Sequence, residues 1–399
     1  MPGVTSRTIA SPLGDVAGEH RPAPHPFSPL PLGPHRVWPP VVLAPMAGVT
    51  NPPFRAVCRS FGGGVFVGEM VSARALVWND DKTWRKYVDF APDEGIRSLQ
   101  LYGVDPRDVG EAVSRLVGEG RVDHLDLNFG CPVAKVTRRG GGAALPLKTR
   151  LLAAVVRSAV EHAGAVPVTM KFRIGVDDDL VTFRDAGRIG EDEGCAAVAL
   201  HARTAAQLYD GEADWSAIAE LKQLVRTIPV LGNGDIFEAR DALDMMRRTG
   251  CDGVVIGRGC LGRPWLFRDL EAVFDGQPAP PAPPFGAVRD IATTHARMAV
   301  AWSGERRAIR DFRKHVSWYA KGYRLGPGAR RQLAGIETLA DLQRLLAGLD
   351  PDATVEPESL RCSRAKRSGR QRVALPAGFL DDLDDLTPPA GADDVTSGG

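Results

Sequence analysis

Cys131 is the residue whose setting most invites chemistry. It lies between Gly130 and Pro132, which fix the backbone around it, and closely follows the apolar run 125–128. A thiol held in this way can act as a nucleophile or as a proton donor. No base is adjacent in sequence, so spacing leaves that choice open. Cys58, Cys195, Cys251 and Cys260 sit in apolar surroundings and read as small core residues. Other capable side chains also stand at the ends of short apolar runs: Gln100, Asn128, Lys171 with Arg173, His201 with Arg203, Asn233-Gly234-Asp235, and Gly257-Arg258. A lysine ending a buried run needs solvent or an anion, and Lys171 could donate to an electron-rich ring and stabilise its charge on reduction. The glycines of the last two groups let backbone N–H groups approach a phosphate. Each group also has a plainer reading. Glycines after strands usually serve turns, and a histidine ending an apolar strand is usually a satisfied buried one.

The elements that must position these residues are eight short runs, at 41–44, 64–67, 98–101, 125–128, 168–172, 197–201, 229–232 and 253–256. Each is continuous, apolar and too short for a helix. Each is followed by glycine, proline or polar residues and then by a helical pattern. Parallel strands buried on both faces read this way. Their number and spacing predict an α/β fold, a (β/α)8 TIM barrel, with the active site at the C-terminal ends of the strands. A doubly wound open sheet is the rival. It would place a glycine-rich dinucleotide turn after its first strand, where this chain has Pro45-Met46-Ala47-Gly48.

The barrel is expected over residues 37–275. Residues 1–36, rich in Pro, Gly, Ser and His, predict a disordered arm. A proline-rich linker at 276–285 leads to a helical domain at 286–350. Residues 351–399, basic at 361–372 and acidic at 381–385, predict a mostly disordered tail. The net charge of +1 names no partner, but its distribution does. Residues 289–331 carry 11 Lys/Arg against 3 Asp/Glu. Within them Arg306, Arg310, Arg313, Lys314, Ser317, Lys321 and Arg324 recur at helical spacing, while Ile309, Phe312, Val316 and Tyr323 fall mainly elsewhere around the helix. A basic face opposite a packing face suits a nucleic-acid backbone. The six cysteines form no CxxC pair, which argues against a zinc site or a disulfide framework. With no signal-peptide pattern and no membrane-length apolar run, a cytoplasmic location is expected.

Taken in order, several segments resemble the tRNA-dihydrouridine synthases, closest to the bacterial B-type branch. They are Leu43-Ala-Pro-Met-Ala-Gly-Val-Thr-Asn51 with Pro53-Phe-Arg55, Gly68-Glu-Met70, Asp126-Leu-Asn-Phe-Gly-Cys-Pro-Val-Ala-Lys-Val136 and residues 140–145. Then follow Met170-Lys-Phe-Arg-Ile-Gly175, His201-Ala-Arg-Thr204, Gly232-Asn-Gly-Asp-Ile236, Ile256-Gly-Arg258, Gly262-Arg-Pro-Trp-Leu-Phe267 and Arg313-Lys-His-Val-Ser-Trp-Tyr319. One departure is Ala202, where the family usually has glycine. The resemblance spans roughly residues 41–345.

It implies an FMN cofactor with the Pro45, Met46 and Ala47 backbone and Gln100 near the isoalloxazine. Lys171 and His201 would also contact the flavin. Asn233, Gly234, Asp235, Gly257 and Arg258 would lie at its ribityl phosphate. NADPH would reduce the flavin. A uridine flipped out of tRNA would be reduced across C5=C6, with Cys131 as the general acid at C5. Asn128 and Arg173 would hold the uracil edge, and Lys135 and Arg203 would aid placement. Arg310, Arg313, Lys314 and Lys321 would meet tRNA phosphates. The alternative is an FMN-dependent reductase of free pyrimidines, which would share the flavin rim but not need the basic helix.

Overall fold

The computed structural model describes residues 27–78, 84, 88–326, 328–362, 364, 369–389 and 391. The chain opens with an antiparallel hairpin, β1 (Leu30–Leu32) and β2 (His35–Val37). Eight parallel strands follow: β3 (Val41–Leu43), β4 (Val65–Ser72), β5 (Ser98–Tyr102), β6 (His124–Phe129), β7 (Val168–Arg173), β8 (Ala197–His201), β9 (Val230–Asn233) and β10 (Gly253–Ile256). They close into a barrel, β10 pairing with β3. All eight sequence runs fall on these strands.

Alternation along the strands explains both the core and the site. Leu99, Leu101, Leu125, Leu127, Met170, Phe172, Val198, Leu200, Val254 and Ile256 are buried in the large core cluster that joins strands and surrounding helices. The residues between them face the barrel interior, because successive side chains point to opposite sides of a sheet. In part of the barrel this interior is apolar: Val42, Ala44, Val65, Val67, Ala197, Ala199, Leu231 and Val255 pack together. On β5, β6 and β7 it is polar, with Ser98, Gln100, His124, Asp126, Asn128, Thr169, Lys171 and Arg173 at the same alternation. The upper residues of this inward set reach the C-terminal rim together.

Two regions expected to be disordered carry structure. Within the predicted arm of residues 1–36, the hairpin buries Leu30, Leu32 and Val37 in the apolar barrel interior. Gly33 turns it at φ 57°, and His35 Nε2 lies 3.1 Å from the Asp123 carbonyl just before β6, at the N-terminal end of the barrel. Burial of three large side chains offsets the order imposed on a short proline-flanked segment. The rest of the arm, residues 1–26, lies outside the described residues. At the other end, residues 369–389 form no regular element yet fold back on the barrel, with Phe379 buried beside Ala144, Leu147 and Val176. Residues 363, 365–368, 390 and 392–399 of the predicted tail lie outside the described residues.

After the barrel, helices Phe285–Ser303, Glu305–Tyr319, Ala329–Ala334 and Leu339–Ala347 form a second core around Val288, Phe312, Val316, Leu333 and Leu342. The linker before them is tied down by Tyr323, whose hydroxyl donates to the Pro283 carbonyl at 2.7 Å. Gly262, at φ 65°, lets the barrel touch the backbone of Trp318: a Cβ there would lie 2.3 Å from its carbonyl carbon. No described helix is long and apolar enough to cross a membrane.

Candidate active site

The strand ends surround a cavity of about 520 Å³ at the C-terminal face of the barrel. Pro45, Met46, Ala47, Gln100, Asn128, Cys131, Lys171, Arg173, His201, Arg203, Asn233, Gly234, Asp235, Gly257 and Arg258 all line it. Lys135 does not. It is exposed on the short helix Ala134–Thr137, just beyond the Cys131 loop.

A buried hydrogen-bond chain runs up the barrel interior to the cysteine. Ser98 Oγ lies 2.7 Å from His124 Nδ1, and His124 Nε2 lies 3.0 Å from Thr169 Oγ1. Thr169 donates to Asp126 at 2.7 Å, and Gln100 Nε2 donates to the other Asp126 oxygen at 2.7 Å. Asn128 Nδ2 donates to Gln100 Oε1 at 2.7 Å, while its own oxygen accepts the amides of Gly130 at 3.1 Å and Cys131 at 2.9 Å. Asn128 is therefore spent largely on fixing the turn that presents the thiol.

Arg173 is committed in the same way. Its Nε donates to the Gly130 carbonyl at 2.9 Å, and Nη1 donates to the carbonyls of Thr204 at 3.0 Å and Leu208 at 2.9 Å. Burial raises the Cys131 thiol's pKa, against weaker lowering by the Val133 amide and Arg173, so the thiol stays protonated at neutral pH. That is the state of a proton donor.

The adjoining wall, on β7, β8 and the loops beyond them, carries the basic side chains. Burial brings Lys171 down to about 7, helped by Arg173 and opposed by Asp126. Burial pushes Asp126 up to about 6, with Thr169, Gln100 and Lys171 pulling it back. His201 is held well below its usual value by burial and by the neighbouring Arg173, Lys171, Arg203 and Arg258, so it is neutral. Arg203 grips Asp235 with Nη2 at 2.8 and 2.7 Å, and also donates to the carbonyls of Asp210 at 3.1 Å and Gly211 at 2.6 Å. Its Nη1 is buried without a hydrogen-bond partner among the described residues. Gly234, at φ 133°, passes beside it.

An orphaned guanidinium nitrogen, a neutralised Asp235 and glycine backbone after β9 and β10 make a cradle for an anion. It stands where such barrels bind phosphate. The residues thus fit a planar ring system carrying a phosphate, in a volume within the usual range for such ligands.

Among the lining residues not singled out from sequence are Tyr209, Met70 and Trp318. Tyr209, on the loop after β8, stacks under Arg258 with the guanidinium carbon 3.9 Å from its ring centroid. Met70 and Trp318 line the cavity as well. Met70 ends a segment already matched to the family, and Trp318 lies one helical turn past Lys314, so both carried a usable signal. Tyr209 carried none.

The basic helix divides. Arg306 and Arg310 are exposed. Arg313 instead donates to the Ile336 carbonyl at 2.9 Å and braces the helical core. Lys314 donates to the Gly48 carbonyl at 2.6 Å and lines the cavity, so it belongs to the seam between helix and barrel. Lys321 is half-buried beyond the end of the helix.

The sequence model of the dihydrouridine synthase family (Dus) matches residues 42–353. The chain belongs to that family. A relative named "Probable tRNA-dihydrouridine synthase" from Mycobacterium tuberculosis is 54% identical over 388 residues, covering 95% of this chain and 99% of the relative. "tRNA-dihydrouridine synthase B" from Pseudomonas aeruginosa is 39% identical over 310 residues, covering 78% of this chain and 91% of the relative. Among solved structures, histamine dehydrogenase from Rhizobium sp. 4-9 superposes with a TM-score of 0.51 at 14% identity, over 82% of this chain and 65% of that one. That likeness shows the fold alone.

Proposed function

We propose that this member of the family is an FMN-dependent tRNA-dihydrouridine synthase, driven by NADPH, with Cys131 as its general acid. The observation that carries the reading is one cavity. A protonated thiol, a cationic phosphate cradle and two residues of the basic helix, Lys314 and Trp318, all open into it.

FMN, when bound, supplies the hydride that goes to C6 of the uracil. The chain's residues do the rest. Arg203 Nη1, the strand-end glycines and Arg258 receive the phosphate, and Asp235 does not repel it because Arg203 already neutralises that carboxylate. Lys171 and neutral His201 donate to the cofactor ring. Charge arriving at C6 spreads to C5 and O4, so an acid and nearby donors are needed there. The Cys131 S–H bond breaks as the C5–H bond forms, and solvent returns a proton to the thiolate. Asn128 orients the turn through its oxygen and retains one N–H for the uracil edge. Arg173 retains its Nη2 for the same edge. Exposed Arg306 and Arg310 meet the tRNA backbone, which has to approach over the helix that walls the cavity.

The test is to purify the protein, identify the flavin released on denaturation, and supply NADPH with tRNA that lacks dihydrouridine. FMN and dihydrouridine in the tRNA are the expected result. A colourless protein that cannot be reconstituted with FMN overturns the cofactor assignment. Turnover of free uracil without tRNA would favour the free-pyrimidine reductase.

A further inference from the structure

The family match ends at residue 353, yet the chain beyond it reaches the active-site loop. Gln371 donates from Nε2 to the Pro132 carbonyl at 2.8 Å and to the Ala205 carbonyl at 3.1 Å, and its backbone amide donates to Ala206 at 2.8 Å. One side chain thereby links the residue after Cys131 to the loop after β8. Eight residues further on, Phe379 is buried against the far end of the Cys131 loop. A Cβ on Gly140, which sits at φ 76°, would meet the Phe379 ring at 2.7 Å and Pro389 at the same distance.

The Phe379 ring also lies 5.2 Å below the Lys148 ammonium, which pairs with Asp385 at 3.1 Å. Arg139, within the same loop, donates to the Gly391 carbonyl at 2.6 Å. The segment thus holds the loop that carries Cys131 at both ends. Gln371 meets that loop at the Pro132 carbonyl, and Phe379 and Pro389 pack at Gly140, contacts that constrain loop position and leave the thiol open to the cavity.

We propose that residues 369–389 are a strap that positions the Cys131 loop, with Gln371 as its positioning residue. This rests on Cys131 being the acid in the reaction proposed above. Gln371 touches the turn after Cys131 and Ala205–Ala206 but none of the cradle residues, so its loss falls on these two loops rather than on the phosphate site. Removing its two carbonyl contacts loosens the turn, and a misplacement approaching 1 Å costs on the order of a hundredfold in rate. Partial loosening predicts about a tenfold loss.

The experiment compares full-length wild type, Gln371→Ala and Phe379→Ala by amide hydrogen exchange, Tm and stopped flow. Expected for Gln371→Ala is faster exchange confined to the two loops it joins, residues 130–143 and 204–208. Oxidation of the reduced flavin by tRNA should be about tenfold slower, with reduction by NADPH, tRNA affinity and Tm unchanged. Phe379→Ala, which frees the other end, should raise exchange in residues 130–143, and Tm reports whether its fold has survived. Unchanged exchange in 130–143 in both variants overturns the strap, whatever the reaction. Tighter tRNA binding with an unchanged rate also overturns it, because the segment would then be a cover. A Cys131→Ala enzyme of wild-type rate would fault the acid assignment instead, and the exchange result would still decide the strap.

Discussion

Replacing Arg203 by methionine tests the anion cradle, because the structure shows how much that one side chain carries. Arg203 makes two charge-assisted bonds to Asp235, at 2.8 and 2.7 Å, and two bonds to loop carbonyls. The guanidinium is 2% exposed and the Asp235 carboxylate 22%. Truncating one partner of a buried ion pair costs about 3–5 kcal/mol of folding stability, lowered here by the partial exposure of Asp235, and Tm reports that part. The variant also leaves an unpaired carboxylate facing the cofactor phosphate and removes the Nη1 donor. We expect about 2–3 kcal/mol of lost cofactor affinity, which is a factor of about 30 to 150 in Kd. Ala213 still donates to Asp235 at 2.7 Å, so the loop retains one anchor. Fluorescence titration of apo-protein with FMN measures the effect directly. A Kd within threefold of wild type would refute the cradle and put the phosphate elsewhere.

Two further outcomes follow from the charges. Lys171 titrates near 7 in the folded protein, below the 10.5 of a free lysine, so the unfolded chain holds more protons between those values. Stability of the flavin-free protein should therefore rise with pH across about 7 to 10.5. That increment should be missing in Lys171→Met, as read by chemical denaturation at several pH values. A parallel pH dependence in both proteins would contradict it. Replacing exposed Arg306 and Arg310 with alanine should weaken tRNA binding and flatten the slope of log affinity against log salt by about one to two units. NADPH oxidation by the flavin should not change, and an unchanged slope would make that face merely solvated.

The barrel was legible because parallel strands buried on both faces leave continuous apolar runs, and the strand ends followed from the runs. The inward alternation then explains why Gln100, Asn128, Lys171, His201 and Asn233 converge: each stands on the interior face near the C-terminal end of its strand. What the sequence hid was partnership. Arg173 and Arg313 read as ligand-binding cations, and the structure adds that they also donate to the carbonyls of Gly130, Thr204, Leu208 and Ile336, contacts that no local pattern announces.

Asp126 did carry a signal, since a carboxylate inside an apolar strand demands donors, and Thr169 and Gln100 supply them. The β1–β2 hairpin was missed because two three-residue strands between prolines are too short for periodicity to register. The strap was missed because Gln371 and Phe379 act through single side chains, 239 residues away in sequence for the Gln371–Pro132 contact, with no regular element between.

In the proposed mechanism Cys131 delivers the proton to C5, while Lys171, His201 and the Arg203 cradle hold the cofactor. The most direct measurement is a single turnover: enzyme reduced by NADPH, mixed with tRNA lacking dihydrouridine, with flavin re-oxidation and dihydrouridine followed together in wild type and Cys131→Ala. Cys131→Ala should bind FMN and accept electrons from NADPH at the wild-type rate. Its re-oxidation by tRNA should be slower by about 10²- to 10⁴-fold, the usual contribution of a positioned acid. Re-oxidation at the wild-type rate would contradict it and leave Cys131 as a structural residue of its loop.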